Sequence, residues 1–114
     1  MARIISVVGA RPNYMKVAPL HRVLKQYDNI VEHLICHTGQ HYDYQMYQAF
    51  FEDLELPPPD FFLGVGQGSH GEQTGKILIE FEKVCMEADP DIVLVVGDVN
   101  STVAAALAAK KLGI

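Results

Sequence analysis

The segment Asp91–Val96 constrains the fold of this 114-residue chain more than any other feature. After its first residue it has no alternation of polar and apolar positions, which predicts a strand buried on both faces. It leads through a glycine and a polar turn into a nearly apolar helical segment at 104–109. Lys110, Lys111 and Gly113 then suit a helix end. Such a strand belongs to a parallel sheet covered by helices, so we expect an α/β domain.

The rest of the chain shows the same alternation of strand and helix. Strands are predicted at 3–8, 30–37 and 61–65, and helices after residue 16, at 43–54 and at 74–88. Pro19 means that the first helix either begins near Lys16 or carries a kink. Ile114 is typical of the start of another strand. We therefore expect residues 1–114 to be the N-terminal part of one domain, with its remaining strands outside this sequence.

Composition and charge exclude several classes of protein. The net charge is −5, with acidic and basic residues mixed along the chain, which argues against nucleic-acid or membrane partners. The apolar runs are too short to span a bilayer, and the first residues do not form a signal peptide. Cys36 and Cys85 fit no metal or redox spacing, so we expect buried free thiols in a cytoplasmic protein.

Three polar clusters directly follow predicted strands. They are GARPNYMK at 9–16, TGQH at 38–41 and GDVNST at 97–102. Ligands of open parallel sheets bind beyond the carboxyl ends of the strands, so we expect the three clusters to converge on one site. Neither a dinucleotide fingerprint nor a P-loop is present in them, so NAD and ATP are not predicted ligands.

The chemistry of each cluster leaves two interpretations open. Arg11 and Lys16 could bind an anion at a helix start, or be two solvated cations. His41 could orient a sugar hydroxyl, or hydrogen-bond within its own loop. Asp98 could act as a general base or hold a sugar hydroxyl, or it could cap the helix that starts near Asn100.

Two further histidines are less informative. His37 ends a predicted strand, which favours a structural role. His70 lies at the end of a glycine-rich segment, 64–71, close to Ser69 as a possible helix cap, and it could reach a ligand.

Together the clusters resemble the non-hydrolysing UDP-N-acetylglucosamine 2-epimerase family. Members of that family carry G-T/A-R-P-x-x-x-K and an Ala-Pro pair, a T-G/A-Q-H loop, and a G-D-x-x-S/T-T motif. The matching segments here are 9–16 with Ala18-Pro19, 38–41 and 97–102. The resemblance covers essentially the whole chain, in order and with the right spacing.

The resemblance implies a GT-B architecture of two Rossmann-like domains, with this parallel sheet and its flanking helices opening the first. It implies interconversion of UDP-N-acetylglucosamine and UDP-N-acetylmannosamine without a metal or cofactor. The C2 proton is lost and UDP is eliminated to give a glycal, to which UDP then returns. The resemblance also implies a homodimer for the complete protein and a role in cell-envelope polysaccharide synthesis.

It also implies roles for individual residues. Arg11 and Lys16 resemble positions that face the nucleotide diphosphate, and Asp98 resembles an essential carboxylate. His41 would line the cleft and bind substrate. Gln40 matches a position that contacts a second, activating UDP-sugar in some members.

The chain departs from the family pattern at three points. Ala10 and Asn13 replace a common Thr and Glu, and Ser69 stands near the place of a cation for the activating sugar. Further carboxylates, a His and the UDP-gripping second domain would lie beyond Ile114. Since the reaction needs carboxylates in more than one protonation role, we expect the isolated chain to be inactive or nearly so.

Two alternatives stay open. A GT-B glycosyltransferase-like domain shares the implied fold, but the pairing of GARPNYMK with TGQH disfavours it. A non-catalytic α/β module that binds sugar nucleotides is the other. A receiver-like signalling domain is disfavoured, because Arg11 stands where such a domain needs carboxylates.

Overall fold

The described residues, 1–40 and 58–114, form four parallel strands and three helices. The strands are β1 (Ala2–Val8), β2 (Val31–His37), β3 (Phe61–Phe62) and β4 (Ile92–Val95). The helices are α1 (Arg11–Leu24), followed by a 3-10 turn at Lys25–Tyr27, α2 (His70–Ala88) and α3 (Asn100–Lys111). The sheet order is β3-β2-β1-β4, with every pairing parallel.

This computed structural model describes residues 1–40 and 58–114, except for the side chain of Arg11. The predicted helix at 43–54 and the candidate residue His41 therefore lie outside the described residues. Within the described ranges, no helix is both long and apolar enough to cross a membrane.

Alternate residues of β1 face two helical layers, which confirms the predicted α/β class. Ile5 and Val7 pack with Phe81 of α2 and Ala105 of α3. On the opposite face, Val8 packs with residues of α1. Phe81 is fully buried, and a side chain of this kind contributes about 1.5–3 kcal/mol through removal of its apolar surface from water.

The helix boundaries exclude one of the two alternatives for the first helix and confirm the expected cap of the second. Helix α1 begins at Arg11 and continues through Pro19, so it does not begin near Lys16. Ser69 caps α2, with its Oγ accepting a hydrogen bond from the backbone N–H of Glu72 at 3.2 Å. The predicted strand at 61–65 is shorter than expected, since the strand covers only Phe61–Phe62, although the N–H of Leu63 still donates to the carbonyl oxygen of His37 at 2.9 Å.

Cys36 and Cys85 are buried free thiols, as expected. Desolvation by burial raises the pKa of Cys36 and raises the pKa of Cys85 to about 11. Both therefore stay protonated near neutral pH and are poor nucleophiles.

Strand β4 differs from the expectation of a strand buried on both faces. Ile92 is 51% exposed, and the three residues after it are only half-buried. The reason is position, because β4 pairs with β1 on one side and forms an edge of the described sheet. The strand that the sequence predicts to be buried on both faces is thus only partly buried in this structure.

We expect the isolated 114-residue chain to self-associate through β4, because an exposed apolar strand edge offers unpaired backbone groups to a second copy. Sedimentation velocity should show species larger than a monomer as concentration rises. Ile92→Lys places a charge on this edge and should increase the monomer fraction. Ile79→Lys, on an exposed position of α2, is the matched control and should change nothing. A monodisperse monomer at every concentration would contradict the expectation.

Candidate functional site

The crevice beyond β1 and β4 is the place where this fold is expected to hold a ligand. β2 lies on one side of β1 and β4 on the other, and the helices that follow β1 and β4 pack on opposite faces of the sheet. Ligands of open α/β sheets bind at such a switch point, at the carboxyl ends of the strands. The polar clusters at 9–16 and 97–102 start there, and residues 38–40 follow the neighbouring strand β2.

Gly9 allows the three clusters to meet. A Cβ atom at this position would overlap Oγ of Ser101 and lie 2.8 Å from Oγ1 of Thr38, so a larger residue would push these loops apart. The hydroxyls of Thr38 and Ser101 are themselves hydrogen-bonded at 2.8 Å, and both residues are buried. The convergence predicted from the sequence is confirmed.

Asn13 joins the first cluster to the third, a role that the sequence did not reveal. Its Oδ1 accepts hydrogen bonds from the N–H groups of Gly9 at 3.0 Å and Ala10 at 2.9 Å. Its Nδ2 donates to the carbonyl oxygen of Val96 at 3.0 Å. The N–H groups of Gly9 and Ala10 are thus engaged inside the protein. Pro12 has none, so an anion at the start of α1 would depend mainly on side chains.

Gln40 caps helix α3. Its side chain is 4% exposed, and its Oε1 accepts hydrogen bonds from the backbone N–H of Ser101 at 2.9 Å and from the Ser101 hydroxyl at 2.6 Å. The N-cap residue itself, Val99, makes no side-chain cap bond. The cap therefore comes from a distant loop, and neither Asp98 nor Asn100 performs it.

Gln73 of α2 extends this polar network. Its Nε2 donates to the carbonyl oxygens of Gln40 at 3.2 Å and Gly66 at 3.0 Å. Its Oε1 accepts from Nδ2 of Asn100 at 2.8 Å, and the same Nδ2 lies 3.1 Å from Nδ1 of His70. The glycine-rich segment and the starts of α2 and α3 are thereby held against the loop after β2.

A cleft of about 480 Å³ borders the network. The residues that line it are Gln40, Gln67, Gly68, His70, Gln73, Asp98, Val99 and Asn100. Asp98 is exposed at this cleft. Among residues 1–40 and 58–114 its carboxylate makes no hydrogen bond or ion pair, so a bound molecule can reach it.

The structure brings together only part of the predicted site. Asp98, Gln40 and His70 share the cleft. Lys16 is exposed on α1 and does not line it. The roles of Lys16 and of Arg11, whose side chain is not described, stay predictions.

His37 has the structural role that its position at a strand end predicts. Its Nδ1 accepts a hydrogen bond from the N–H of Gly39 at 2.8 Å, which requires a neutral ring. The ring packs between those of Tyr14 and Phe62, with centroid distances of 5.3 and 5.2 Å. Burial lowers the pKa of His37 to about 4, so the neutral form persists well below neutral pH.

Known proteins similar to this chain are sugar-nucleotide epimerases. It is 50% identical over 108 residues to the UDP-N-acetylglucosamine 2-epimerase of Methanocaldococcus jannaschii, covering 95% of this chain and 29% of that protein. It is 44% identical over 110 residues to the UDP-2,3-diacetamido-2,3-dideoxy-D-glucuronate 2-epimerase of Pseudomonas aeruginosa, covering 96% of this chain and 31% of that protein. The chain thus spans about 30% of the length of its relatives.

Solved structures share the fold. The M. jannaschii UDP-GlcNAc 2-epimerase in complex with UDP-GlcNAc and UDP superposes with a TM-score of 0.92 and 46% identity, covering 98% of this chain and 30% of that one. The Neisseria meningitidis enzyme bound to UDP-GlcNAc gives a TM-score of 0.89 and 32% identity, covering 98% and 30%. The family model for UDP-N-acetylglucosamine 2-epimerase matches residues 23–114. The chain therefore belongs to the UDP-N-acetylglucosamine 2-epimerase family.

Proposed function

We propose that this chain supplies one side of an active site that interconverts UDP-N-acetylglucosamine and UDP-N-acetylmannosamine. The observation that carries the proposal is the reachable Asp98 carboxylate at a switch-point cleft. Support comes from relatives named as UDP-N-acetylglucosamine 2-epimerases at 50% and 46% identity.

The proposed chemistry is an elimination followed by an addition. A base removes the proton from C2, the electrons of the C2–H bond form a C1–C2 double bond, and the C1–O bond to UDP breaks. UDP then adds back to C1 while an acid returns a proton to the opposite face of C2. Asp98 is the proposed acid–base group on one face. A second group has to serve the other face, because one carboxylate cannot reach both sides of the ring.

The departing diphosphate needs positive charge. The N–H groups of Gly9 and Ala10 bind Asn13, so these donors do not serve a phosphate. Arg11 and Lys16 are therefore the proposed diphosphate contacts, since cations near the leaving group stabilise the charge that develops on it. His41 is proposed to line the same cleft.

The sugar is proposed as UDP-N-acetylglucosamine, with a diacetamido-glucuronate as the second candidate. The 44% identity to the P. aeruginosa epimerase is the reason for naming this second candidate. Inversion at C2 is the proposed reaction for both sugars. Gln40 stays a proposed contact for an activating UDP-sugar. Gln40 would have to contact this UDP-sugar while its own Oε1 accepts the hydrogen bond from the backbone N–H of Ser101 that caps α3.

The architecture of the complete protein is also a proposal. Residues 1–114 would open the first of two Rossmann-like domains, and the isolated chain would be inactive because it spans about 30% of its relatives. We propose a cytoplasmic homodimer that makes precursors of cell-envelope polysaccharide. The buried free thiols support the compartment. The net charge of −5 gives no reason to add a nucleic-acid or membrane partner.

Exchange of the C2 hydrogen in heavy water tests the proposal. We expect the complete protein encoded by the gene to incorporate deuterium at C2 of UDP-N-acetylglucosamine or of the diacetamido-glucuronate nucleotide, as followed by proton NMR. The isolated chain should incorporate none. Binding of UDP-sugars without exchange in the folded complete protein would overturn the proposal in favour of a glycosyltransferase-like or binding module.

A further inference from the structure

We infer that Asn13 is a positioning residue for the proposed epimerisation, because its amide sets the turn that carries Asp98 relative to the loop that carries Arg11. The inference rests on the proposed function. Asn13 itself is 2% exposed and does not line the cleft. Any effect on the reaction must therefore act through the two loops.

The acceptor half of the amide fixes the loop after β1. Oδ1 receives both the N–H of Gly9 and the N–H of Ala10, so the last two residues before α1 are held at one atom. Arg11 is the first residue of α1 and follows directly. The backbone that presents Arg11 therefore depends on this oxygen.

The donor half reaches across to the loop after β4. Nδ2 donates to the carbonyl oxygen of Val96, which also accepts from Oγ1 of Thr102 at 3.1 Å. One donor comes from α1 and the other from α3, so this carbonyl is fixed from two sides. Asp98 lies only two residues after Val96. The position of the Val96 carbonyl therefore constrains the backbone turn that carries Asp98.

Gly97 shows how closely Asn13 approaches that turn. Gly97 has φ +83°, a conformation that favours glycine, and a Cβ atom there would lie 2.9 Å from Nδ2 of Asn13. The amide thus packs against the residue directly before Asp98. A shift of the amide would be transmitted to the carboxylate through a single residue.

Replacing the amide nitrogen of Asn13 with an oxygen separates the acceptor half of this side chain from its donor half. Asn13→Asp keeps an oxygen for the N–H groups of Gly9 and Ala10 but places a second oxygen against the Val96 carbonyl, where a donor is needed. Asn29→Asp is the matched control, because it makes the same chemical change at an exposed position just before β2, at the end of the sheet opposite the three clusters.

We expect Asn13→Asp in the complete protein to lower kcat by about ten- to hundredfold, the effect of a small displacement of a reacting group. KM for the sugar nucleotide should stay within about threefold of its original value, because substrate contacts remain. Asn29→Asp should keep kcat within about threefold. Circular dichroism and Tm should show both variants folded.

A pH profile gives a readout that a purely structural role would not change. At acidic pH the carboxyl group introduced by Asn13→Asp gains a proton and can donate it to the Val96 carbonyl. The ratio of variant to unmodified kcat should therefore rise as pH falls. Unchanged kcat in folded Asn13→Asp would overturn the inference, as would a loss of activity that only follows a loss of folded protein. Absence of C2 exchange in the unmodified protein would instead overturn the proposed function and the inference with it.

Discussion

Asp98→Asn should lower the rate of C2 exchange in the complete protein by about 10²–10⁴-fold, the contribution of a positioned acid or base. The amide has nearly the same shape as the carboxylate but cannot accept or return the C2 proton. Within the described residues the carboxylate makes no hydrogen bond or ion pair that the substitution would break. Stability should therefore stay the same, and Tm should not fall.

Asp28→Asn is a suitable control for this experiment. Asp28 is also exposed, but it follows the 3-10 turn after α1 and lies away from the carboxyl ends of the strands. Its substitution should leave both exchange and Tm unchanged. Binding of UDP-N-acetylglucosamine by Asp98→Asn, measured by calorimetry, separates the two proposed roles of the carboxylate. Retained binding without exchange indicates acid–base chemistry, and retained exchange would contradict it.

The placement of Asp98 could be predicted from the sequence because every step is local. An apolar strand pattern is followed by a glycine and then by a carboxylate, and a helix starts two residues later. The parallel sheet then requires the polar turns after its strands to meet at one edge. The contact between Thr38 and Ser101 shows that they do.

The supporting interactions could not be predicted because they are not local. Gln40 caps a helix whose first residues lie 61 positions away, and Asn13 binds a carbonyl 83 positions away. Capping rules consider only the few residues around a helix start, so they indicated Asp98 as the candidate cap. The amide at position 13 was visible only as a departure from a family pattern.

The burial of β4 was overestimated for a related reason. Its composition reports how apolar the strand is, whereas its burial depends on which elements lie beside it. Only β1 pairs with it among the described strands, so Ile92 stays exposed.

Acidification should destabilise the fold between about pH 6.5 and about pH 4, because three partly or fully buried histidines bind protons more readily in the unfolded chain than in the folded one. Burial lowers the pKa of His37 to about 4. Burial and the neighbouring His21 lower the pKa of His33 to about 4. In the unfolded chain both titrate near pH 6.5. Below that pH the unfolded state binds more protons than the folded state, so the free energy of unfolding falls until the folded pKa is passed.

The His21–His33 pair explains why a proton is not accommodated there. Their Nδ1 atoms are 2.8 Å apart and share one hydrogen, while Nε2 of His33 lies 2.7 Å from Oγ of Ser6. If both rings were charged, each Nδ1 atom would carry a hydrogen, and these two N–H groups would face each other. Burial and then Lys25 lower the pKa of His21, whereas Asp60 opposes them by raising it.

Urea unfolding of the chain at several pH values, followed by circular dichroism, measures the effect. His37 alone should contribute about 2–3 kcal/mol between neutral pH and pH 4, and the more exposed His33 should contribute less. The combined contribution of His37 and His33 is a large fraction of the roughly 5–15 kcal/mol that stabilises a domain. A free energy of unfolding that stays level over this range would contradict the prediction.

His37→Asn identifies the contribution of His37. The amide oxygen can replace Nδ1 as acceptor for the N–H of Gly39, but it does not titrate, so the pH dependence should become shallower. His70→Asn is the control, because His70 is exposed. His37 directly precedes the loop from which Gln40 caps α3. A proton on Nδ1 would remove the Gly39 contact that shapes this loop, so ligand binding by the folded protein should weaken only near pH 4, where folded His37 itself gains a proton.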